Sequence, residues 1–431
     1  MYNLNRELKM LEESGGQIKI AIIGAGQMGK SLVTQVNRMA GMETIIVIDR
    51  DVEEAKDAYL TAGISEDKIK VASTIEEVNK YTDEGYYVVG TDFNIACKSN
   101  PAEAVVDATG SIEAGAEIAL NTILNKKHII MLNAETDSVI GPILKKFADE
   151  AGVIFTGSAG DEPGAVMELY DFADAMGFEI LVIGKGKNNK LDYECTPDTV
   201  RDEAIRRGVA PHMLASFKDG SKTMVEMSLM CNATGLVPDI MGAHGIDANL
   251  DDVTKKLTLK SEGGVLNKYG VVEYVNGLAP GVFAIITHKD DIIKDEMKYL
   301  SMGDGPNYIL YRPYHLASLE TPLSIAMAVL ENKATIAPKG GLVADVITIA
   351  KKDLKAGEYM DSYGNYTCYG LIEEYDKARK KNAVPVGLVN EKTKVLKDIK
   401  KGEIVTYDMV ELDTETTLYH LRKLQDTIFN Q

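Results

Sequence analysis

An apolar run that leads directly into a glycine turn constrains this chain more than any other feature. Residues 18–23 have the composition of a buried strand, and Gly-Ala-Gly-Gln-Met-Gly follows at 24–29. Residues 30–40 carry apolar side chains at helical spacing, and a second apolar run ends at Asp49, twenty residues after Gly29. Strand, glycine turn, helix, strand and terminal acid are the parts of a dinucleotide-binding βαβ unit.

Each part of this turn has a physical role in nucleotide binding. The first glycine permits the tight turn, the second lets the backbone approach a pyrophosphate, and the third lets the helix pack on the strand. The helix N-terminus offers free N–H groups and a partial positive charge to the phosphates. We therefore predict a site for NAD or NADP at Gly24, Ala25, Gly26, Gln27, Met28, Gly29, Asp49 and Arg50. The alternative is an empty turn of the same fold.

The nature of the cofactor depends on the two residues at the end of the second strand. Asp49 would accept the ribose hydroxyls and repel a 2′-phosphate, whereas Arg50 would pair with that phosphate. The two residues act in opposite directions, and the balance favours NAD only slightly.

Strands alternate with helices up to about residue 156, and this order predicts a doubly wound parallel sheet. Ligands of such sheets lie at the carboxyl ends of the strands. We therefore expect Thr109, Gly110, Asn133 and Glu135 to lie near the nicotinamide. Ordinary turn chemistry at strand ends is the alternative for all four.

Composition limits the classes of partner. The chain has 431 residues and a formal net charge of −18, which argues against nucleic-acid and anionic-membrane binding. An anionic substrate would need a local basic pocket. No apolar run reaches the length of a transmembrane helix, the N-terminus lacks a signal-peptide core, and four scattered cysteines form no metal or disulfide pattern. We expect a cytoplasmic homo-oligomer that binds a small, anionic substrate.

The second half of the chain offers two candidate regions for that substrate. Gly184 to Asn189 reads as a turn that carries Lys185 and Lys187, although a solvated turn fits equally well. Glu226 falls among apolar residues of a predicted helix, and a buried carboxylate needs a partner or a metal. A divalent metal held by Glu226 with Asp161 or Glu162 is one possibility that the spacing does not decide, so the metal ligands remain unknown.

Hydride transfer to a carbonyl also needs a cation or donor at the developing alkoxide and a source of protons. The candidates for these roles are Lys185, Lys187, Lys222, Glu226, His244, Arg312 and His315. Arg312 is suited to a carboxylate or phosphate because a guanidinium binds such groups in bidentate fashion. The alternatives are structural histidines and an Arg312 held by one of the many acidic residues.

Three further stretches and a repeat lead to a family resemblance. The stretches are Gly184-Lys185-Gly186-Lys187-Asn188-Asn189, Glu226 through Asn232-Ala233-Thr234-Gly235, and Tyr311-Arg312-Pro313-Tyr314-His315-Leu316; the repeat relates residues 350–358 to residues 395–403. The first half resembles homoserine dehydrogenase, and the whole resembles the 1-deoxy-D-xylulose 5-phosphate reductoisomerase-like (DRL) group with a C-terminal SAF domain. The resemblance covers residues 17–412, but the acid/base pattern of homoserine dehydrogenase is not recognisable.

The resemblance implies an α/β protein with a Rossmann doubly wound parallel sheet, an α+β catalytic domain and a small β-rich SAF-like domain. We predict a helical arm at 1–16, the nucleotide domain at 17–157, the catalytic domain at 158–341 and the SAF-like domain at 342–431. It further implies an NAD(P)-dependent oxidoreductase of a small hydroxylated, phosphorylated carbonyl compound. A reductoisomerase and a non-catalytic, nucleotide-sensing protein are the alternatives.

Overall fold

The computed structural model describes residues 3–429. The helices are α1 (Leu4–Glu13), α2 (Gln27–Val36), α3 (Val52–Thr61), α4 (Ile75–Asp83), α5 (Phe93–Lys98), α6 (Ile112–Leu124), α7 (Ala134–Ala151), α8 (Glu162–Ala175), α9 (Arg201–Arg207), α10 (Pro211–Lys218), α11 (Ser221–Thr234), α12 (Val253–Lys256), α13 (Asp291–Tyr299), α14 (Thr321–Glu331), α15 (Tyr375–Lys380) and α16 (Thr417–Phe429). Between residues 3 and 429, none of the helices combines the length and apolar character needed to cross a bilayer.

The strands fall into four sheets. They are β1 (Ile18–Ile23), β2 (Met42–Ile48), β3 (Ile69–Val71), β4 (Tyr87–Gly90), β5 (Ala104–Asp107), β6 (His128–Met131), β7 (Phe155–Gly157), β8 (Glu179–Lys187), β9 (Val237–Pro238), β10 (Ile246–Asp247), β11 (Val271–Asn276), β12 (Val282–Thr287), β13 (Tyr308–Arg312), β14 (Ala344–Ala350), β15 (Cys368–Glu374), β16 (Lys394–Val395) and β17 (Val410–Glu411).

The chain divides into two compact units, the first of which contains a seven-stranded parallel sheet. Its order is β3-β4-β2-β1-β5-β6-β7, so β1 lies between β2 and β5 and the strand order reverses there. A crevice at the carboxyl ends of the strands forms at such a reversal point. The predicted doubly wound parallel sheet is confirmed, and the glycine turn follows the strand at the reversal.

The first unit comprises residues 3–164 and also residues 316–337. Ile325 and Ala326 of α14 are buried in the same core as Leu4 and Leu8 of α1. The carbonyl of Ile336 accepts a hydrogen bond of 2.9 Å from the backbone N–H of Gly157, the last residue of β7. The structure thus groups residues 316–337 with the nucleotide unit, because their apolar and backbone groups complete its core and its sheet edge. The four-part division predicted above stays a prediction.

The second unit comprises residues 165–315 and 338–429 and is built around a mixed sheet. The order is β10-β11-β8-β12-β13, with β9 pairing with β11 beside β10. Strands β8, β11 and β12 are almost wholly buried, and the helix α11 is buried along nearly its full length. A helix that is buried on all sides belongs to the interior of a large unit.

The internal repeat forms two turns that bind each other. Leu354 and Ile399 exchange backbone hydrogen bonds of 2.9 Å in both directions. Asp398 accepts an N–H from Ala356 at 3.0 Å, and Asp353 accepts the equivalent N–H from Lys401 at 2.9 Å. The acid of each copy of the repeat therefore caps the turn of the other copy. The SAF likeness itself stays a prediction.

Candidate active site

The glycine turn of the first unit has the close packing that its motif predicts. Gly24 has a φ of 102°, and a Cβ atom there would lie 2.6 Å from the carbonyl oxygen of Ala108. A Cβ atom on Gly29 would lie 1.9 Å from the carbonyl oxygen of Gly24. Any larger residue at either position would force strand, turn and helix apart.

Between these two packed glycines the turn is open. Gly26, Gln27 and Met28 are exposed, and a Cβ atom on Gly26 would meet nothing within 4 Å. The first N–H groups of α2 therefore face a surface that a pyrophosphate can approach. The carboxylate of Asp49 accepts the N–H of the buried Ala25 at 2.7 Å, and Arg50 is exposed beside it. The donor set thus fits a dinucleotide.

A hydrogen-bonded network joins the next two strand ends. The buried Asp107 accepts hydrogen bonds from the Thr109 backbone and hydroxyl at 2.9 and 2.7 Å and from the Asn133 side-chain amide at 3.1 Å. Burial raises the pKa of Asp107 to about 6, against the opposing effect of the bonds from Thr109 and Asn133. Gly110 is exposed and Glu135 is half-buried in the first turn of α7. Asp107 accepts these hydrogen bonds, and the sequence analysis did not identify it as a site residue.

In the second unit, Lys185 and Lys187 lie inside a strand, so the predicted turn at 184–189 is wrong for residues 184–187. Strand β8 runs on through Lys187 because its glycines lie against neighbouring backbone rather than in a bend. A Cβ atom on Gly184 would lie 1.8 Å from the Glu273 carbonyl oxygen, and one on Gly186 would lie 2.1 Å from the Ala279 nitrogen. These glycines permit close approach of backbone.

The strand register places three of the predicted cations on one face of this sheet. Lys185 is paired with Tyr274 of β11 on one side and with Val282 of β12 on the other. Val282 is in turn paired with Arg312 of β13. Paired residues share a face, as do residues two apart in one strand, so Lys185, Lys187 and Arg312 lie on the same face. Lys185 and Arg312 are two strand spacings apart, which is roughly 10 Å.

The two lysines differ in their partners. Lys185 forms a buried ion pair with Glu226 of α11, whose exposure is 3%. Lys187 donates instead to the carbonyl of Phe217 at 2.6 Å. Burial, and then the charge of Lys185, lower the pKa of Lys187 to about 8. Glu226 is thus buried and paired with a lysine, and Lys187 is an ammonium that can release its proton near neutral pH.

Arg312 and its neighbours provide a second cationic group. The Arg312 guanidinium lies 3.3 Å from the carboxylate of Glu168 and 4.6 Å from the ring centre of Tyr314. It is the last residue of β13. Its role toward a substrate therefore stays a prediction. His315 and Lys222 are both half-buried, and their roles stay predictions as well.

His244 has a partner that the sequence analysis did not identify. Its Nε2 lies 2.7 Å from a carboxylate oxygen of Asp239, whose side chain is fully buried. Its backbone N–H donates to both carboxylate oxygens of Glu273, at 3.1 and 3.0 Å. Glu273 is an acid within the apolar strand Val-Val-Glu-Tyr-Val, the same kind of signal that singled out Glu226.

Two family models match the chain. Residues 160–321 match the model of the oxidoreductase DRL catalytic domain, and residues 18–155 match the N-terminus of dihydrodipicolinate reductase. No curated protein sequence is significantly similar to the chain. The chain is an NAD(P)-dependent oxidoreductase in which residues 160–321 are similar to the DRL catalytic domain and residues 18–155 to the N-terminus of dihydrodipicolinate reductase.

Solved structures show weaker likeness. Scyllo-inositol dehydrogenase from Lactobacillus casei, with bound NAD(H) and scyllo-inositol, is 14% identical with a TM-score of 0.41, over 74% of this chain and 90% of that one. Myo-inositol 2-dehydrogenase from Lactobacillus plantarum is 11% identical with a TM-score of 0.38, over 74% and 91%. A probable dehydrogenase from Thermotoga maritima is 12% identical with a TM-score of 0.35, over 96% and 88%. These values are too low to transfer a substrate.

Proposed function

We propose that this oxidoreductase interconverts a carbonyl and an alcohol in a small hydroxylated compound that carries a phosphate or another anionic group. The observation that carries the proposal is the buried Lys187, whose pKa is lowered to about 8 beside the Lys185–Glu226 pair. A general acid works best when its pKa lies near the operating pH. Lys187 meets that condition, and it lies within residues 160–321, the part of this chain that matches the DRL catalytic-domain model.

In the reductive direction, a bound nicotinamide supplies the hydride. The Lys187 ammonium, aimed by its hydrogen bond to the Phe217 carbonyl, gives its proton to the oxygen of the former carbonyl. Lys187 is left as a neutral amine, and in the oxidative direction it takes the proton back. Lys185, held by Glu226, adds a fixed positive charge on the same face, which stabilises the negative charge that develops on that oxygen.

The anionic group of the substrate is assigned to Arg312. Its position on the face of Lys185, roughly 10 Å away, suits a compound whose anion and carbonyl are separated by a few carbon atoms. We place His315 beside Arg312 in this role, because it follows three residues later.

For the cofactor we propose NAD. The Asp49 carboxylate lies at the end of β2 and holds the turn through Ala25, and its negative charge disfavours a 2′-phosphate. A divalent metal is given no role, because the acid suggested as its ligand, Glu226, is paired with Lys185. A reductoisomerase would use the same residues, and NMR analysis of the product separates that reaction from simple reduction.

The proposal is tested by replacing Lys187 in the full-length chain. A panel of sugar phosphates, polyol phosphates and sugar acids is first screened for turnover with NAD and NADP. Lys187→Met should then lower kcat by about 10²- to 10⁴-fold, the usual contribution of a general acid, and leave the Kd for NADH unchanged. Lys190→Met, which removes an exposed lysine three residues away, is the matched control and should behave as the unmodified protein.

A Lys187→Met variant that keeps its kcat would refute the assignment of the proton donor. A screen in which neither cofactor is turned over, while both still bind, would instead support the nucleotide-sensing alternative. Arg312→Ala sharpens the second assignment: it should raise KM for the phosphorylated compound by one to three orders of magnitude and leave NADH binding intact.

A further inference from the structure

The edge of the mixed sheet is interrupted beside Glu273. Strand β9 pairs with β11 at 271–272, and β10 pairs with the same edge of β11 at 275–276. Residues 239–245, which we call the excursion loop, leave the sheet between these two pairings. Glu273 and Tyr274 therefore face a gap in which the neighbouring strand is missing.

The side chain of Glu273 reaches into this gap. It is fully buried, and its carboxyl group accepts the N–H of His244 at 3.1 and 3.0 Å and that of Gly245 at 3.4 Å. Burial raises the pKa of Glu273 to about 8 in spite of these bonds. The Glu273 carboxylate thus supplies the hydrogen-bond acceptors that a neighbouring strand would otherwise have supplied. These bonds fix the backbone of His244.

Asp239, the first residue of the excursion loop, holds the imidazole of His244. One carboxylate oxygen lies 2.7 Å from His244 Nε2 and also accepts the backbone and side-chain N–H groups of Asn267 at 2.9 and 3.0 Å. Burial alone would raise the pKa of Asp239, but the bonds from His244 and Asn267 outweigh it and the pKa is lowered. An ionised Asp239 requires the proton of a neutral imidazole to be on Nε2, which leaves Nδ1 as the acceptor.

The backbone of the loop is strained at Ala243. This residue has a φ of 61°, in the left-handed region that disfavours a Cβ atom, and Gly242 and Gly245 on either side of it have φ values of 78° and 62°, which glycine adopts freely. A Cβ atom on Gly245 would lie 2.1 Å from the hydroxyl of Tyr274. Strain of this kind persists only where surrounding contacts over-determine the conformation. Here the contacts from Glu273 and Asp239 do so, and the residue they present is His244.

The excursion loop is linked to the strand end that carries Lys187. Asn276 is paired with Lys187 across the sheet and donates its side-chain amide to the carbonyl of Gly245 at 3.1 Å. The imidazole of His244 is 14% exposed, whereas the Asp239 carboxylate that holds it is fully buried. An accessible histidine with a buried acid behind it is the arrangement used for proton transfer in enzymes.

We propose that His244 is a second proton-transferring residue of this oxidoreductase and that Asp239 and Glu273 are its positioning residues. Asp239 fixes the tautomer of the imidazole, and Glu273 fixes the backbone that presents it. The inference rests on the proposed function, because it needs a substrate on the face of Lys187. Its structural part is measurable without any substrate.

The experiment combines NMR with kinetics on the full-length chain. Imidazole ¹⁵N shifts, assigned through His244→Gln, should show the Nε2–H tautomer for His244. Asp239→Leu, which removes the oxygen that accepts from His244 Nε2 and from Asn267, should shift that tautomer balance and lower kcat by about ten- to a hundredfold with KM unchanged. Glu273→Met should broaden the His244 signals and lower kcat, and Glu273→Gln, which keeps one of the two acceptor oxygens, should do both to a smaller extent. Asp247→Asn, which alters an exposed acid on β10, is the control and should change neither.

The two assignments fail in different ways. If Asp239→Leu leaves the His244 tautomer unchanged, the positioning role is refuted whatever the activity. If the tautomer shifts but kcat does not, while Lys187→Met abolishes turnover, His244 takes no part and the proposed function survives. If neither Lys187→Met nor Asp239→Leu affects turnover, both assignments are overturned.

Discussion

The two sheets carry their polar groups in opposite ways. In the seven-stranded sheet the polar residues of the candidate site lie at the ends of the strands or just after them, as Asp107 ends β5 and Asp49 follows β2. In the mixed sheet the strands themselves carry the charges, with Lys185 and Lys187 inside β8 and Glu273 inside β11. The first arrangement is set by local turns, whereas the second depends on strand register and on burial of each charge against a partner.

The difference shows where function and stability are coupled. A group on an exposed turn can be changed without disturbing a core. A charge inside a buried strand contributes to the fold and to the chemistry together, because removing its partner leaves an uncompensated charge. We therefore expect changes in the mixed sheet to cost more than changes at the glycine turn.

The largest expected effect is on the second unit, from a chain that ends at residue 337. This removes β14 and β15 and the two backbone N–H groups, of Val343 and Ala344, that the buried Asn232 of α11 accepts at 2.8 and 3.1 Å. The nucleotide unit keeps α14 and Ile336. We expect activity to be lost and NADH binding to stay within about threefold, which is less than 1 kcal/mol, as measured by fluorescence titration.

A chain that ends at residue 315 is the matched comparison. It also lacks residues 316–337, which belong to the nucleotide unit, and it should lose NADH binding as well. Retention of oxidoreductase activity by the chain ending at 337 would show that the C-terminal segment has no structural role.

Removing one member of the buried ion pair should have the next largest effect. Glu226→Met takes the carboxylate away from Lys185 and should lower the free energy of unfolding by roughly 3–5 kcal/mol, measured by urea denaturation. Lys185→Met combined with Glu226→Met should restore most of that stability, since paired apolar side chains fill the space. The double variant should still be inactive. A double variant as unstable as the single one would contradict this account.

The pH dependence of catalysis tests Lys187. Because the pKa of Lys187 is lowered to about 8, the ammonium is lost above that pH and kcat for reduction should fall tenfold per pH unit. Between about pH 8 and 10.5, Lys187 binds fewer protons in the folded chain than in the unfolded chain. Its contribution to the free energy of unfolding therefore rises with pH in this range. Lys187→Met should remove both dependences. A reduction rate that stays level to pH 10 would assign the proton to another group.

The smallest expected effect belongs to the glycine turn. Asp49→Ala should shift the preference between NAD and NADP by about tenfold, which is 1.4 kcal/mol, in favour of NADP, because Arg50 then meets the 2′-phosphate without an opposing charge. Asp83→Ala, an exposed acid at the end of α4, is the control. If the Kd for NAD and the Kd for NADP are both unchanged by Asp49→Ala, Asp49 is not part of the cofactor site.

The sequence allowed the nucleotide unit to be predicted well because its signals are local. Strand, glycine turn and helix follow one another within 18–36, in the order that the motif predicts. Short elements such as β4 and α5 were missed, since a few residues carry too little periodicity. The return of residues 316–337 to this unit depends on contacts across more than 150 residues, and no local pattern encodes them.

In the mixed sheet, sequence reasoning identified residues better than their setting. Lys185, Glu226 and His244 were singled out, but Gly184 and Gly186 suggested a turn, because a glycine required by a neighbouring backbone cannot be told from one required by a bend. Asp239 lies five residues before His244 in a glycine-rich segment, which is a usable signal. The pairing of Lys185 with Glu226 could not be predicted, since 41 residues separate them.

Residues 316–337 complete the nucleotide unit but are synthesised long after the rest of it. Synthesis proceeds from the N-terminus, so the seven-stranded sheet leaves the ribosome long before Ile336, whose carbonyl binds Gly157 at the end of β7. Until then β7 is an open edge, and open edges favour pairing with other chains. Nearly 180 residues, or about 9 to 36 seconds of translation at 5–20 residues per second, separate the edge from its cover. The protein should therefore depend on chaperones while it is being synthesised, more than its finished fold suggests.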